Sequence, residues 1–141
     1  MPNGSALGDE ERSLLCDPRF HAAVDLFNRG EWYACHDGFE ALWHETQGPM
    51  RPVLQGILQI AVAQLHLERG NQRGAVMLLG EGLGRLACIG PEALGLALDP
   101  LKRVCSVRLQ ALQALAVGNP APDPATLPPP RLEPADLAPV H

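Results

Sequence analysis

The segment of residues 51–69 constrains the fold of this chain more than any other. Drawn as a helix, it carries apolar side chains over most of its circumference. A helix that is apolar on most sides is usually buried by its neighbours, so we expect this segment to be the central helix of a bundle. Polar side chains interrupt the apolar run at spacings of four and seven residues, which place them on one side of the helix: Gln55, Gln59 and His66.

Capping and turn residues divide the chain into further helices. Two helix starts carry an aspartate cap followed by proline at the first helical position, at Asp17-Pro18 and Asp99-Pro100. Asn71 is expected to cap another helix. The predicted helices span residues 18–28, 32–45, 51–69, 72–88 and 101–117. Three basic side chains of the last helix are expected on its outside: Lys102, Arg103 and Arg108.

The order of these segments predicts an all-α fold, a compact helical bundle of about five helices. Residues 23–30 and 63–70 share a faint pattern at an offset of forty, and each ends in an Arg-Gly turn. We interpret the chain as two helix-turn-helix hairpins followed by a C-terminal helix. Residues 17–118 form the predicted domain, after a leader of residues 1–16 that ends in a short apolar helix. Residues 119–141 hold eight of the fourteen prolines and are expected to be a flexible tail.

The fourth predicted helix is unusually rich in glycine. Each glycine in a helix interior costs up to ~1 kcal/mol relative to alanine. Such a load indicates either close backbone approach to another helix, within the bundle or in a homodimer, or a kinked or broken segment. The glycines are Gly74, Gly80, Gly82 and Gly84.

Composition narrows the classes of function. The formal net charge is -5, which argues against a nucleic-acid-binding protein because such proteins normally present a basic face. The N-terminal residues lack a basic segment followed by an apolar run, and the longest apolar stretch is too interrupted to cross a bilayer. We therefore expect a cytoplasmic protein without a membrane partner. A homodimer, another protein and a small ligand remain open as partners.

The cysteines do not predict a metal ribbon or a disulfide framework, because none of the four forms a CxxC pair. We expect free thiols at Cys16, Cys35, Cys88 and Cys105. Cys35 adjoins His36 in sequence but points about 100° away from it on a helix. This geometry disfavours a Cys–His nucleophile pair.

The second predicted helix carries the densest set of reactive side chains. His36 and Glu40 lie four residues apart, with Asp37 beside them and Trp43 one turn further on. If this stripe faces Gln55, Gln59 and His66 of the next helix, the two helices enclose a polar pocket. The candidate pocket residues are His36, Asp37, Glu40, Trp43, Gln55, Gln59 and His66.

Two blocks of the sequence resemble a family of small helical proteins, the domain-of-unknown-function family 309. The first block is residues 27–43, with an aromatic residue, a histidine followed by an acidic residue, a glutamate and a tryptophan. The second is residues 54–75, with Gln55, Gln59, His66 and the Arg-Gly-Asn turn. The resemblance covers about residues 18–88 and departs at Asp37, where glutamate is commoner, and at Gly38, where a bulkier residue is usual. It implies an all-helical fold and no agreed activity.

Three interpretations of the pocket stay open. His36, Glu40 and His66 could hold a divalent metal ion with one open position, while the glutamines orient the ligands. The same residues could instead form a buried hydrogen-bond network that fixes the register of two helices. In the third interpretation the bundle binds a peptide or protein. We favour a binding or interaction protein over an enzyme, with a metal-dependent hydrolase as the enzymatic alternative, in which Glu40 or Asp37 is the general base.

Overall fold

The computed structural model describes residues 7–135. Within them the chain forms six α-helices, three strands of two residues each and one short 3₁₀ helix. The α-helices are α1 (Asp9–Leu15), α2 (Pro18–Asn28), α3 (Trp32–Glu45), α4 (Arg51–Glu68), α5 (Gln72–Ala87) and α6 (Leu98–Ala116). The strands are β1 (Glu92–Ala93), β2 (Leu96–Ala97) and β3 (Glu133–Pro134), and the 3₁₀ helix is Pro124–Thr126. The predicted all-α bundle is confirmed, with six helices in place of about five.

The additional helix is α1, which lies in the predicted leader. It begins at Asp9, earlier in the chain than the short apolar helix expected at the end of the leader. Three acidic residues in its first turn favour a helix start through the helix dipole. The Glu10 carboxylate accepts hydrogen bonds from the backbone N–H groups of Gly48 and Met50, each at 2.7 Å. These bonds attach α1 to the turn that precedes α4.

The central position of α4 follows from its apolar surface. α4 packs against both α3 and α5. Six of its apolar side chains are fully buried: Val53, Leu54, Ile57, Ile60, Ala61 and Ala63. The polar side chains predicted to interrupt this helix are only half-buried, so the apolar surface of α4 is covered and its polar stripe is not.

α4 and α5 approach closely where two glycines meet. A Cβ atom added at Gly82 would lie 2.9 Å from the carbonyl oxygen of Gly56 and 3.0 Å from Ile60 Cγ1. A Cβ atom at Gly56 would lie 2.9 Å from Leu86 Cδ2. The close approach predicted from the glycine-rich helix therefore lies inside the bundle at Gly82, whereas Gly80 and Gly84 have open space around them.

Between α5 and α6 the chain forms a β-hairpin that the sequence analysis did not predict. β1 pairs antiparallel with β2, and β3 joins the other edge of β2. The hairpin turn contains Leu94 and Gly95, both at positive φ (56° and 70°). Because α6 begins at Leu98, Asp99 lies within its first turn, and the prediction that Asp99 caps this helix is wrong.

The prediction that Arg108 faces outward is also wrong, since Arg108 is only 7% exposed. α6 turns this side chain toward residues 119–135, which run along the bundle. In this segment Pro124 and Leu132 are buried. The side chain of Asn28 donates to the carbonyl of Leu132 at 2.9 Å and accepts from its N–H at 2.7 Å. The predicted leader and tail extend beyond the described residues, and the predicted domain limits stay predictions.

Gly82 contacts α4 closely whereas Gly84 has open space around it, so alanine at these two positions should change the stability in opposite directions. We expect Gly82→Ala to lower the free energy of unfolding by about 1–3 kcal/mol, because the new methyl group overpacks a backbone contact. Gly84→Ala should raise it by about 0.5–1 kcal/mol, since only the helix propensity changes there. Urea denaturation followed by circular dichroism measures both. Equal effects of the two substitutions would contradict the close approach.

Candidate functional site

α3 presents its predicted site residues along one half-exposed side. The adjacent side of the helix is buried through Trp32, Cys35, Phe39 and Leu42. His36, Glu40 and Trp43 are half-buried and lie at spacings of four and three residues, so they form a continuous stripe beside the buried side. Gly38 lies on another side, where an added Cβ atom would be 3.2 Å from Ala23 Cβ of α2. A small residue at position 38 thus fits the packing of α2 against α3.

The imidazole of His36 lies between two carboxylates. Its Nδ1 atom is 3.3 Å from Asp37 Oδ1, and its Nε2 atom is 3.8 Å from Glu40 Oε2. The Nδ1 contact lacks hydrogen-bond geometry, and this atom is buried without a partner among the described residues. The side chains of His36, Asp37 and Glu40 are 27%, 62% and 45% exposed. A potential ligand atom from each of the three lies within 4.8 Å of the others, a spacing that a metal ion could bridge.

Aromatic rings flank this cluster along α3. The ring of Tyr33 lies 6.2 Å from that of His36, measured between centroids. Two turns further along, the Arg51 guanidinium lies 4.0 Å from the centroid of the Trp43 ring, which is a cation–π contact. Arg51 also donates to the carbonyls of Trp43 and Thr46, each at 3.1 Å. The indole N–H of Trp43 is buried and finds no acceptor within residues 7–135.

The stripe of α4 lies between α3 and α5. Arg51, Gln55, Gln59 and His66 are half-buried and follow spacings of four, four and seven residues. Arg51 contacts α3 through Trp43, as described above. Gln59 instead turns toward α5, where it donates to Glu81 at 3.0 Å and accepts from Arg85 at 2.9 Å. We call the combined surface of His36, Glu40, Trp43, Arg51, Gln55, Gln59 and His66 the polar face.

The predicted metal ligands do not all lie together in the structure. His36 and Glu40 lie together, and Asp37 completes their group. His66 lies near the end of α4, where its Nδ1 atom is 3.2 Å from Nδ2 of Asn71. The Asn71 side chain also accepts from the N–H of Gly74 at 2.9 Å and so caps α5, as predicted. The cluster of possible ligands therefore includes Asp37 rather than His66, and metal binding itself stays a prediction.

Sequence reasoning missed one polar pair. Gln64 and Arg108 are 3% and 7% exposed, and the Arg108 guanidinium donates to Gln64 Oε1 at 3.0 Å. A signal for the burial of Arg108 was present, because Leu101, Cys105, Arg108 and Leu112 follow spacings of four, three and four residues on one side of α6. Arg108 was nevertheless predicted to face outward, because charged side chains are usually exposed.

The thiols divide into two classes. Burial raises the pKa of Cys35 and of Cys105 to about 12. Cys16 and Cys88 are exposed. All four are free, as predicted. Because a thiolate is the reactive form, Cys35 is a poor nucleophile despite its position next to His36.

We expect Ellman's reagent to modify two thiols per chain in the native protein at pH 8, and four after denaturation. The variant Cys16→Ser/Cys88→Ser should show no fast reaction in the native state, because a thiol with a pKa of about 12 is almost entirely protonated at pH 8. Absorbance at 412 nm follows the reaction. Fast modification of this double variant would contradict the burial of Cys35 and Cys105.

Residues 20–78 match the family model described as Domain of unknown function (DUF309). This match confirms the resemblance inferred from the two sequence blocks. It includes all residues of the polar face and ends within α5, before α6 and residues 119–135. No curated protein matches the chain. Within the described residues, no helix has both the length and the apolar character needed to cross a membrane.

Proposed function

We propose that this protein is a cytoplasmic binding protein whose polar face carries a divalent metal site on α3. The observation that supports this proposal is the position of the His36 imidazole between the carboxylates of Asp37 and Glu40. The four free thiols suit a reducing compartment and support the cytoplasmic location. We propose a small ligand as the partner.

We propose different roles for the two carboxylates. Glu40 and His36 Nε2 lie one helical turn apart on the same side, the arrangement in which two helical residues bind one ion. Asp37 lies on the Nδ1 side of the ring at 3.3 Å, without hydrogen-bond geometry, and a turn of its carboxylate would let it accept the Nδ1 proton and fix the tautomer that leaves Nε2 free for the metal. Imidazole and carboxylate donors suit Zn²⁺ and similar first-row ions.

Two protein ligands from one helix leave several coordination positions for the bound molecule and water. Trp43 and Arg51 extend the surface from the metal site along α3. His36 and Trp43 are seven residues apart, which corresponds to about 10 Å along a helix. A ligand that contacts both the ion and the Arg51 guanidinium must therefore span about this distance, and negative charge at both ends would favour it.

We expect the wild-type chain to bind about one Zn²⁺ in isothermal titration calorimetry, and His36→Ala and Glu40→Gln to lose this binding. Asp37→Asn should weaken it by about 10–100-fold, because the residue orients the imidazole rather than supplying the principal donor. His44→Ala is the matched control, since it removes an exposed imidazole from the same helix. Equal loss in His44→Ala, or no binding by the wild type, would contradict the proposal.

A metal-dependent hydrolase is the second candidate. The observation that favours it is the exposure of the cluster, which leaves room for water and substrate beside a second carboxylate that could act as general base. In this case the Zn²⁺-loaded chain should hydrolyse bis(p-nitrophenyl) phosphate or p-nitrophenyl acetate, and His36→Ala should not. Stoichiometric metal binding without turnover of either substrate would leave the binding function and argue against the hydrolase.

A further inference from the structure

Arg108 carries a buried positive charge that no acidic side chain neutralises. Nη1 of its guanidinium donates to three backbone carbonyls, those of Pro124, Leu127 and Pro128, at 3.1–3.2 Å. Nη2 donates to the side-chain oxygen of Gln64. Within residues 7–135 no carboxylate forms an ion pair with it, and burial lowers its pKa from the usual value. Carbonyl dipoles offset only part of the cost of burying a full charge.

Two further donors beside this charge are unsatisfied. The Nε–H of Arg108 and the side-chain amide nitrogen of Gln64 are buried and have no hydrogen-bond partner among the described residues. A buried donor without an acceptor costs about 1–3 kcal/mol. Since few native polar groups are left in this state, a pair of them next to an unpaired charge needs oxygen acceptors from outside the described residues, which water or a ligand supplies.

Both side chains line one cavity. Its volume is about 350 Å³, which lies within the range of small-molecule sites. Trp32, Leu67 and Pro124 supply apolar wall, from α3, α4 and the segment after α6. Glu68 and Asp123 also line the cavity, and both are exposed residues. The cavity thus combines a buried cationic end, apolar walls and acidic residues on its exposed side.

We propose that this cavity binds a small organic carboxylate, whose apolar body packs against Trp32 and Leu67 and toward whose carboxylate group the buried donors of Arg108 and Gln64 turn to donate hydrogen bonds. An arginine fork matches a carboxylate with two parallel hydrogen bonds. The acidic residues Glu68 and Asp123 disfavour a doubly charged anion such as phosphate. A plain acid and an amino acid share the required carboxylate, and the acidic residues would also attract an ammonium group. This site is independent of the polar face.

The test is a titration of the ¹⁵N-labelled full chain with 3-phenylpropanoate, followed by nuclear magnetic resonance. We expect saturable shifts of the Arg108 Nε–H, the Gln64 side-chain amide and the Trp32 indole N–H. The Trp43 indole is the internal control and should not move. The neutral isostere 3-phenylpropanamide should bind at least about tenfold more weakly, because it cannot pair with the guanidinium charge. The same titration with phenylalanine and with inorganic phosphate shows whether the site prefers an amino acid or a free anion to a plain acid.

Two variants separate binding from folding. Arg108→Met should abolish the shifts, and Arg103→Met is its matched control, since it removes an exposed charge from the same helix. Because Arg108 also holds the segment after α6, Arg108→Met could fail to fold. Ala125→Trp is the second test of binding in the cavity. Ala125 lines the cavity, so an indole at this position fills it and should prevent carboxylate binding, while Arg108 and Gln64 stay in place. Saturable binding to a folded Ala125→Trp, equal affinity for the amide, or no binding of any carboxylate would overturn the proposal.

Discussion

The burial of α4 is the constraint on which the rest of the structure depends. Each aliphatic side chain that this helix buries, such as Val53, Ile57 or Ile60, stabilises the fold by about 1.5–3 kcal/mol relative to exposure. That gain needs both α3 and α5 packed against α4 at close range. Gly56 and Gly82 permit the short approach of α5, and the packing gained offsets the cost of glycine in a helix. Gly80 and Gly84 of α5 have open space around them, and packing does not explain them.

This arrangement leaves uncovered the part of the polar face that α4 contributes. α3 and α5 flank the helix, and between them a line of half-buried polar side chains keeps contact with solvent. Gln59 is tied to α5 by its bonds with Glu81 and Arg85, which are exposed contacts and differ from the buried network predicted between α3 and α4. The cluster at His36 differs. Exposed ion pairs contribute only about 0–1 kcal/mol, so stability alone is a weak reason to place two carboxylates around one imidazole.

Much of the fold followed from local signals in the sequence. Asp17-Pro18 and the Asn71 cap set helix starts that the structure reproduces, because caps and proline act within one turn. The same signal failed at Asp99-Pro100, where the hairpin and its pairing with β3 carry the chain into α6 before the aspartate. Pairing between residues 96–97 and 133–134 is a long-range contact that no local pattern reveals. Tertiary structure overrode the local preference there.

The candidate site was predictable in its residues but not in its geometry. The spacing of His36 and Glu40 fixed their common side of α3, and the structure agrees. The spacing could not show that Asp37 reaches the imidazole whereas His66 meets Asn71, since side-chain rotamers and the end of α4 decide these contacts. The Arg108 cavity was hidden for a different reason. Its walls come from α3, α4 and the segment after α6, which only the tertiary fold brings together.

The two candidate sites therefore depend on different parts of the chain. The polar face lies wholly within the residues that match the family model, whereas the cavity joins Gln64 of that region to Arg108 and Pro124 outside it. One guanidinium serves two purposes in the cavity, since it holds three carbonyls of the segment and lines the space that a ligand would occupy. A carboxylate bound there needs the segment in place to complete the wall. Binding and docking of the segment are therefore linked. The carboxylate would stabilise the docked state of residues 119–135 by the same free energy by which docking strengthens the binding of the carboxylate.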